Sequence, residues 1–412
     1  MCVMFMNSAE REQPPSSART AEARAQNRSA FARLNDLLAP IEPGKPAINC
    51  AVGEPQHPVP SFAGPVFARH IADLGKYPAN KGTDLFRTSV AAWLSRRYEL
   101  PRPLDAESEV LVLNGTREGL FLAALAAARN ATPRAGKPAI LVPNPCYGAY
   151  SAGAAASHCE TVYMPTNAAS GFLPDLDALD DALLARTVAF YIASPANPQG
   201  SVASRNYLSR LVAMARKHDF MVFSDECYSE IYFGEKPTGI LEVAGPDYAN
   251  TVAFNSLSKR SNLPGLRVGF VAGDRNFLGR FLEYRNNAAP QVPIPAQAVA
   301  AAALDDEMHV NENRMAYAQK FDLADQIIGD RYGYRRPKGG FFLWLDVSAQ
   351  GGSVIAAERL WRDAGLRVLP GEYASFTESD GSNPGRDYIR VAMVHDNATT
   401  AEALHRLVAV LG

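Results

Sequence analysis

The sequence predicts an α/β protein: a large domain on a mostly parallel sheet sandwiched by helices, plus a small α/β domain made of the N- and C-terminal segments. Three observations carry this. The chain has 412 residues, more than one ordinary hydrophobic core takes. From residue 110 to residue 254, short apolar runs alternate with longer helical stretches, the pattern of a parallel sheet covered on both faces. Beyond Pro290 and Pro293 this gives way to a long helical stretch and a second set of apolar runs.

The elements follow in order. Residues 1–28 are rich in Ala, Ser, Glu, Arg and Pro and read as a disordered extension or a misassigned start, with Met6 as an alternative start. They lack the long apolar segment of a signal peptide. A helix is expected over 29–38, ended by Pro40, Pro43, Gly44 and Pro46, then a strand over 47–52. Helices are expected over 61–74 and 84–98. The alternating part pairs strands at 110–113, 139–142, 160–164 and 187–192 with helices from 115 to 130 and at 147–156, 176–184 and 204–218. Strands at 221–224 and 252–254 complete it. Helices at 295–304 and 311–328 connect to strands at 341–346, 366–369 and 388–394, with helices at 354–364 and 400–411. The expected units are therefore 29–75 as an N-terminal arm and part of the small domain, 76–304 as the large domain, and 305–412 as the rest of the small one.

Composition narrows the function. The chain is 47% hydrophobic and 20% charged, with a net charge of −2, so no global basic field attracts nucleic acid. No apolar run is long enough to span a bilayer. The five cysteines are scattered, without a Cys-x-x-Cys pair, which argues against a disulfide framework or zinc and fits a reducing cytoplasm.

Chemistry concentrates in a few segments. Lys259 follows Ser256 and Ser258 and precedes Arg267 and Gly269. An amine beside hydroxyls and a guanidinium suits a Schiff-base lysine next to groups that hold a phosphate, and points to pyridoxal phosphate. A lysine in a surface loop is the bland alternative. Asp225, in Phe223-Ser-Asp-Glu-Cys-Tyr228, ends an apolar run, where open α/β sheets place ligands. It can pair with a protonated pyridine nitrogen or cap a helix, and Tyr228 can bond a ring oxygen or pack in the core. Asn197 sits between two prolines in Ser194-Pro-Ala-Asn-Pro198 and can bond a ring oxygen or cap a turn. Gly115-Thr-Arg-Glu-Gly119 is a strand-to-helix turn suited to an anion, or simply a helix start. Tyr147 can stack on a ring or fill core. Tyr77 can reach a phosphate or pack. Arg390 can clamp a carboxylate or form a structural ion pair.

Taken together and in this order, these segments resemble the fold-type I pyridoxal phosphate-dependent aminotransferases of class I/II, over nearly the whole chain from about residue 30. The resemblance implies a seven-stranded sheet in the large domain. It also implies a role for each residue. Lys259 is the Schiff-base residue and proton shuttle; Asp225 pairs with the pyridine nitrogen; Asn197 and Tyr228 contact the phenolic oxygen. Thr116, Arg117, Ser256 and Arg267 hold the phosphate, and Tyr147 stacks on the ring. Arg390 binds the α-carboxylate near the backbone of Gly53, and Tyr77 reaches the neighbouring subunit's phosphate, so a homodimer with shared sites is implied. Metal is not. Arg117 and Arg260 depart from the common pattern and add positive charge that suits a substrate with a second acid. Ala51-Val-Gly-Glu-Pro-Gln56, Asn114-Gly-Thr-Arg-Glu118 and the run from Ser258 to Arg267 look most like the bacterial N-succinyldiaminopimelate aminotransferase branch. That implies glutamate as donor and N-succinyl-2-amino-6-ketopimelate as acceptor. An aspartate or aromatic aminotransferase of broad specificity and a pyridoxal phosphate β-lyase share the scaffold. A non-catalytic amino-acid sensor would need a DNA-binding domain ahead of it, and residues 1–28 are too short and polar for one.

Overall fold

The computed structural model describes residues 28–132, 136–378 and 380–412. The expected disordered extension lies outside the described residues but for Arg28. The chain opens with α1 (Ala30–Leu38), β1 (Ile48–Asn49), α2 (Ala63–Arg69), a 3₁₀ turn and α3 (Asp84–Arg97). The alternating part is β2 (Val110–Leu113), α4 (Thr116–Asn130), β3 (Ala139–Asn144), α5 (Gly148–Ala156), β4 (Glu160–Pro165), α6 (Asp181–Arg186), β5 (Thr187–Ala193), α7 (Arg205–His218) and β6 (Met221–Asp225). Then come β7 (Thr251–Ser256), α8 (Leu257–Arg260), β8 (Gly269–Gly273), α9 (Arg275–Ala288), α10 (Ile294–Asp305) and α11 (Met308–Ile327). The chain ends with β9 (Phe342–Asp346), α12 (Ser353–Ala364), β10 (Leu366–Arg367), β11 (Leu369–Pro370), α13 (Gly371–Ala374), β12 (Tyr388–Ala392) and α14 (Asn397–Leu411).

The main sheet has seven strands in the order β2-β8-β7-β6-β5-β3-β4, parallel except for β8, which is antiparallel to both neighbours. Its residues alternate between two apolar layers. Val110, Val112, Leu141, Phe190 and Val222 face one layer; Leu111, Leu113, Ile140, Tyr191 and Phe223 face the other. A fully buried phenylalanine such as Phe223 contributes about 2–3 kcal/mol of transfer free energy. The second unit is a three-stranded antiparallel sheet, β11-β12-β9, beside the parallel pair β1-β10. Ile48 and Cys50 pack there with Leu343, Leu345, Ile389 and Leu404, so the N-terminal segment joins the C-terminal one in a single apolar cluster.

The chain departs from the expected elements in a few places. The strand expected over 47–52 is only β1, because its partner β10 is equally short. The helix expected over 176–184 breaks at Leu179, and Asp180 caps a fresh start at α6. The helix expected over 61–74 is α2 followed by the 3₁₀ turn Ile71–Gly75. β8 and α9 were not anticipated. Glycines bracket β8 and leave only three apolar residues between them, whereas Asp274 caps α9 and Phe277, Leu278 and Phe281 face the core.

Candidate active site

All the parallel strands of the main sheet end on one side, and the connections there carry the functional side chains. Because β8 runs backwards, its leading end, with Arg267 just ahead of it, returns to the same side. Between this edge and the C-terminal sheet lies a cavity of about 350 Å³. Gly53, Thr116, Arg117, Tyr147, Asn197, Asp225, Tyr228, Ser256, Lys259, Arg267 and Arg390 all line it. Tyr77 does not: it is 95% exposed on a loop.

Lys259 sits in α8, a single turn that Ser256 caps by accepting from the Ser258 amide at 3.1 Å. Its Nζ donates to the carbonyl oxygen of Gly53 and lies 5.5 Å from the centre of the Phe341 ring. Burial pushes the amine down from its usual range to about 8, with Arg390 and Arg267 adding repulsion. Gly53 is forced by packing, since a Cβ there would lie 2.6 Å from the Phe342 ring.

Asp225 is the last residue of β6. One carboxylate oxygen accepts from the Tyr150 hydroxyl and the other from the Cys227 amide at 3.1 Å. None of the ion pairs among the described residues involves it. Burial raises its pKa, and the two donors oppose the rise. Tyr228 is half-buried, edge-on to Phe341 at 5.2 Å, and burial holds its hydroxyl well above the usual tyrosine range.

Arg390 lies in the middle of β12, opposite Trp344 of β9. Its Nη1 donates to Asn197 Oδ1 at 2.9 Å and its Nη2 to the carbonyl of Ala51 at 2.8 Å. Its Nε is buried without a partner. Burial lowers its pKa to about 10.

On the cavity wall, α4 begins at Thr116 without a side-chain cap, leaving its first amides free. Arg267, at φ +56, donates from Nη1 to the carbonyl of Pro264 at 2.8 Å. Ser256 Oγ donates to Ser258 Oγ at 2.9 Å, and Thr116 Oγ1 lies 3.2 Å from Cys227 Sγ. Arg117 donates from Nε to the Tyr147 hydroxyl at 2.7 Å, and Tyr147 stands edge-on to Tyr150 at 5.8 Å.

Arg260 does not add its charge to the cavity as expected. Its guanidinium is buried on the far side of α8, over Trp93 and bonded to the Ala303 carbonyl at 2.6 Å and to Glu307 at 2.7 Å. Consecutive helical residues project about 100° apart, so a cation next to Lys259 in sequence points elsewhere. The sequence reading also missed residues that shape the cavity: Phe31, Val52, Glu54, Tyr150, Cys227 and Phe342. A signal existed for Tyr150, three positions beyond Tyr147 and so on the same helical face. Among the described residues, no group of His, Cys, Asp and Glu is placed to hold a metal, and no helix is long and apolar enough to cross a membrane.

The family model for aminotransferase class I and II matches residues 45–407. An LL-diaminopimelate aminotransferase of Syntrophobacter fumaroxidans is 31% identical over 384 residues, covering 92% of this chain and 95% of that protein. A crystal structure of an aminotransferase from Neisseria meningitidis superposes with a TM-score of 0.87 at 36% identity, covering 93% of this chain and 98% of the other. A protein described as a probable N-succinyldiaminopimelate aminotransferase from Thermus thermophilus has a TM-score of 0.81 at 22% identity, covering 93% and 100% of the two chains, and at that identity the likeness is one of fold.

Proposed function

The chain belongs to the class I and II aminotransferases, a pyridoxal phosphate-dependent family, and from that premise we propose that it moves an amino group between glutamate and a keto acid of the diaminopimelate type. Such a substrate is a long chain with a second acid at its far end. The observation that carries this class is a pair of arginines on one cavity. Arg390 is buried with Nε uncommitted, and Arg117 is exposed with only its Nε committed, to Tyr147. A dicarboxylic substrate meets one guanidinium with each acid. Relatives called LL-diaminopimelate aminotransferases, at 28–31% identity, support the same class. Glu54 on the cavity wall favours free diaminopimelate, whose far amine is an ammonium, over the succinylated form, whose amine is capped. The succinylated form is the second reading, supported by the sequence likeness of residues 258–267.

The residues fit pyridoxal phosphate at two points and its amino-acid substrate at a third. Asp225 is a buried carboxylate with only neutral donors, which leaves a place for a cationic ring nitrogen. Gly115 opens the space between the start of α4 and Arg267, since a Cβ there would lie 2.3 Å from Arg267 Nη2. The orphaned Nε of Arg390 faces no acceptor of this chain. When bound, pyridoxal phosphate supplies an aldehyde that takes up an amino group and an electron-poor ring that spreads charge away from the substrate α-carbon.

The chain's own groups do the rest. Lys259, its amine lowered to about 8, is partly unprotonated near neutral pH and takes the proton from the substrate α-carbon onto Nζ. Gly53 aims that nitrogen. Asp225, beside Tyr150 and the Cys227 amide, holds positive charge on the cavity wall. Asn197 and the Ala51 carbonyl pre-orient Arg390, which grips the α-carboxylate. The first amides of α4, Thr116, Ser256 and Arg267 hold the phosphate, and Tyr147 covers the ring. Tyr77, off its own cavity, serves the partner's site, so a homodimer with shared sites belongs to this reading. So do units at 29–75 with 305–412 and at 76–304, and a cytoplasmic setting.

The test is a panel of donors and acceptors that includes free and succinylated diaminopimelate, aspartate and aromatic amino acids. Donor alone should convert all the cofactor to its amino form, whereas a β-lyase releases ammonia and pyruvate. Arg117→Met should lower kcat/KM for diaminopimelate by about 10- to 100-fold, the worth of one charged hydrogen bond, with monocarboxylic donors within about threefold. Equal loss on both substrate types would sink the dicarboxylate reading.

A further inference from the structure

α8, which carries Lys259, is four residues long and cannot hold its own geometry. Ser256 fixes its leading end. The last carbonyls of a helix lack partners within it, and in α8 a single buried amide reaches two of them. Asn313 of α11 donates from Nδ2 to the carbonyl of Lys259 at 3.2 Å and to that of Arg260 at 3.4 Å.

This contact dictates a series of others. With Nδ2 facing carbonyls, Asn313 turns Oδ1 to His57, which bonds it through Nδ1. The imidazole must therefore donate from Nδ1 and accept at Nε2. At Nε2 it meets Lys320 Nζ, a buried ammonium 2.5 Å away. Burial and the Lys320 charge hold His57 below the usual histidine range, which keeps it the neutral acceptor this arrangement needs. The ring rests on Tyr317 at 4.6 Å. His57 lies on the same segment as Gly53, the acceptor for the Lys259 amine, so this segment meets the lysine directly at its tip and, through Asn313, at its backbone.

We propose that His57 is a positioning residue for Lys259: a directed series of donors, from Lys320 to His57 to Asn313 to the Lys259 carbonyl, sets the rotation of α8 that brings the amine to Gly53. This rests on Lys259 being the reacting amine.

His57→Phe keeps a ring on Tyr317 but removes donor and acceptor. Because it leaves Lys320 unpaired, the double variant H57F/K320M is made alongside it, so that a folded protein is in hand. In the folded double variant kcat should fall on the order of 10- to 100-fold, the scale of a 1 Å misplacement, with KM for the amino donor within about twofold. In the cofactor-free protein, acetylation of Lys259 followed by peptide mass spectrometry should show its pH midpoint rise from about 8 toward the free lysine value of ~10.4. His57→Asn, whose amide stands where Nδ1 stood, should restore most of kcat. Wild-type kcat with an unchanged midpoint in the folded double variant would overturn the proposal, as would nitrogen NMR showing His57 protonated on Nε2. Lys259→Ala at wild-type rate would overturn the assignment of the lysine itself, an outcome the His57 variants cannot mimic.

Discussion

Asp225→Asn separates function from stability. The side chain keeps its shape and stays within reach of Tyr150 and the Cys227 amide, so the cofactor-free fold loses little. It gains something as well: burial raises the Asp225 pKa. A carboxyl raised on folding contributes stability below its unfolded pKa and loses it as pH climbs through the folded value. The variant should therefore melt at or above the wild type at pH 8. Cofactor binding behaves in the opposite way. A cationic ring nitrogen buried against asparagine lacks its counter-charge, and removing one partner of a buried pair costs about 3–5 kcal/mol. At 1.4 kcal/mol per tenfold, that is a loss of roughly 10²- to 10³·⁵-fold in cofactor affinity. Reconstitution of the cofactor-free protein with graded pyridoxal phosphate, followed by absorbance, measures it. Affinity within threefold of wild type would refute the charge argument, and a large drop in melting temperature at pH 8 would show that Asp225 is mainly structural.

Two further outcomes follow from buried groups. Glu226 accepts from the Ile240 amide at 2.8 Å, Tyr98 at 2.9 Å and Ser224 at 3.0 Å, yet burial lifts it from 4.5 to about 7. Its contribution is intact below pH 4.5 and is lost as pH rises through 7, by roughly 3 kcal/mol. Glu226→Gln should thus flatten the pH dependence of the melting temperature between 5 and 8, and an unchanged slope would contradict this. Gly115→Ala forces a Cβ to within 2.3 Å of Arg267 Nη2 at a φ of +71. It should cost about 1–3 kcal/mol of stability and weaken inorganic phosphate as an inhibitor at least tenfold, whereas undiminished phosphate inhibition would remove Gly115 from the cradle.

What was legible in the sequence was local. Apolar runs marked six strands of the main sheet; five are buried on both faces, and such a strand needs no partner to look apolar, while the edge strand β4 is largely half-exposed. β8 was hidden because its pairing, not its composition, makes it a strand. The lysine, aspartate, asparagine and arginine of the site stood in recognisable segments, and the fold brings them to one cavity. Arg260 misled because sequence adjacency says nothing of direction around a helix. His57 carried no signal at all: its partners, Asn313 and Lys320, come from a distant helix.

The reversed strand β8 has a mechanical consequence. Ser256 pairs with Gly269 across the closing rung of the β7–β8 hairpin, so Lys259 and Arg267 ride on one loop clamped at both ends. No hinge can be placed between them outside that loop. Motion of residues 53–58 or of the C-terminal sheet must occur relative to Lys259 and Arg267, which travel as one part. Lengthening or shortening residues 257–268 would throw the two out of register, while insertions in other connections would leave their spacing intact.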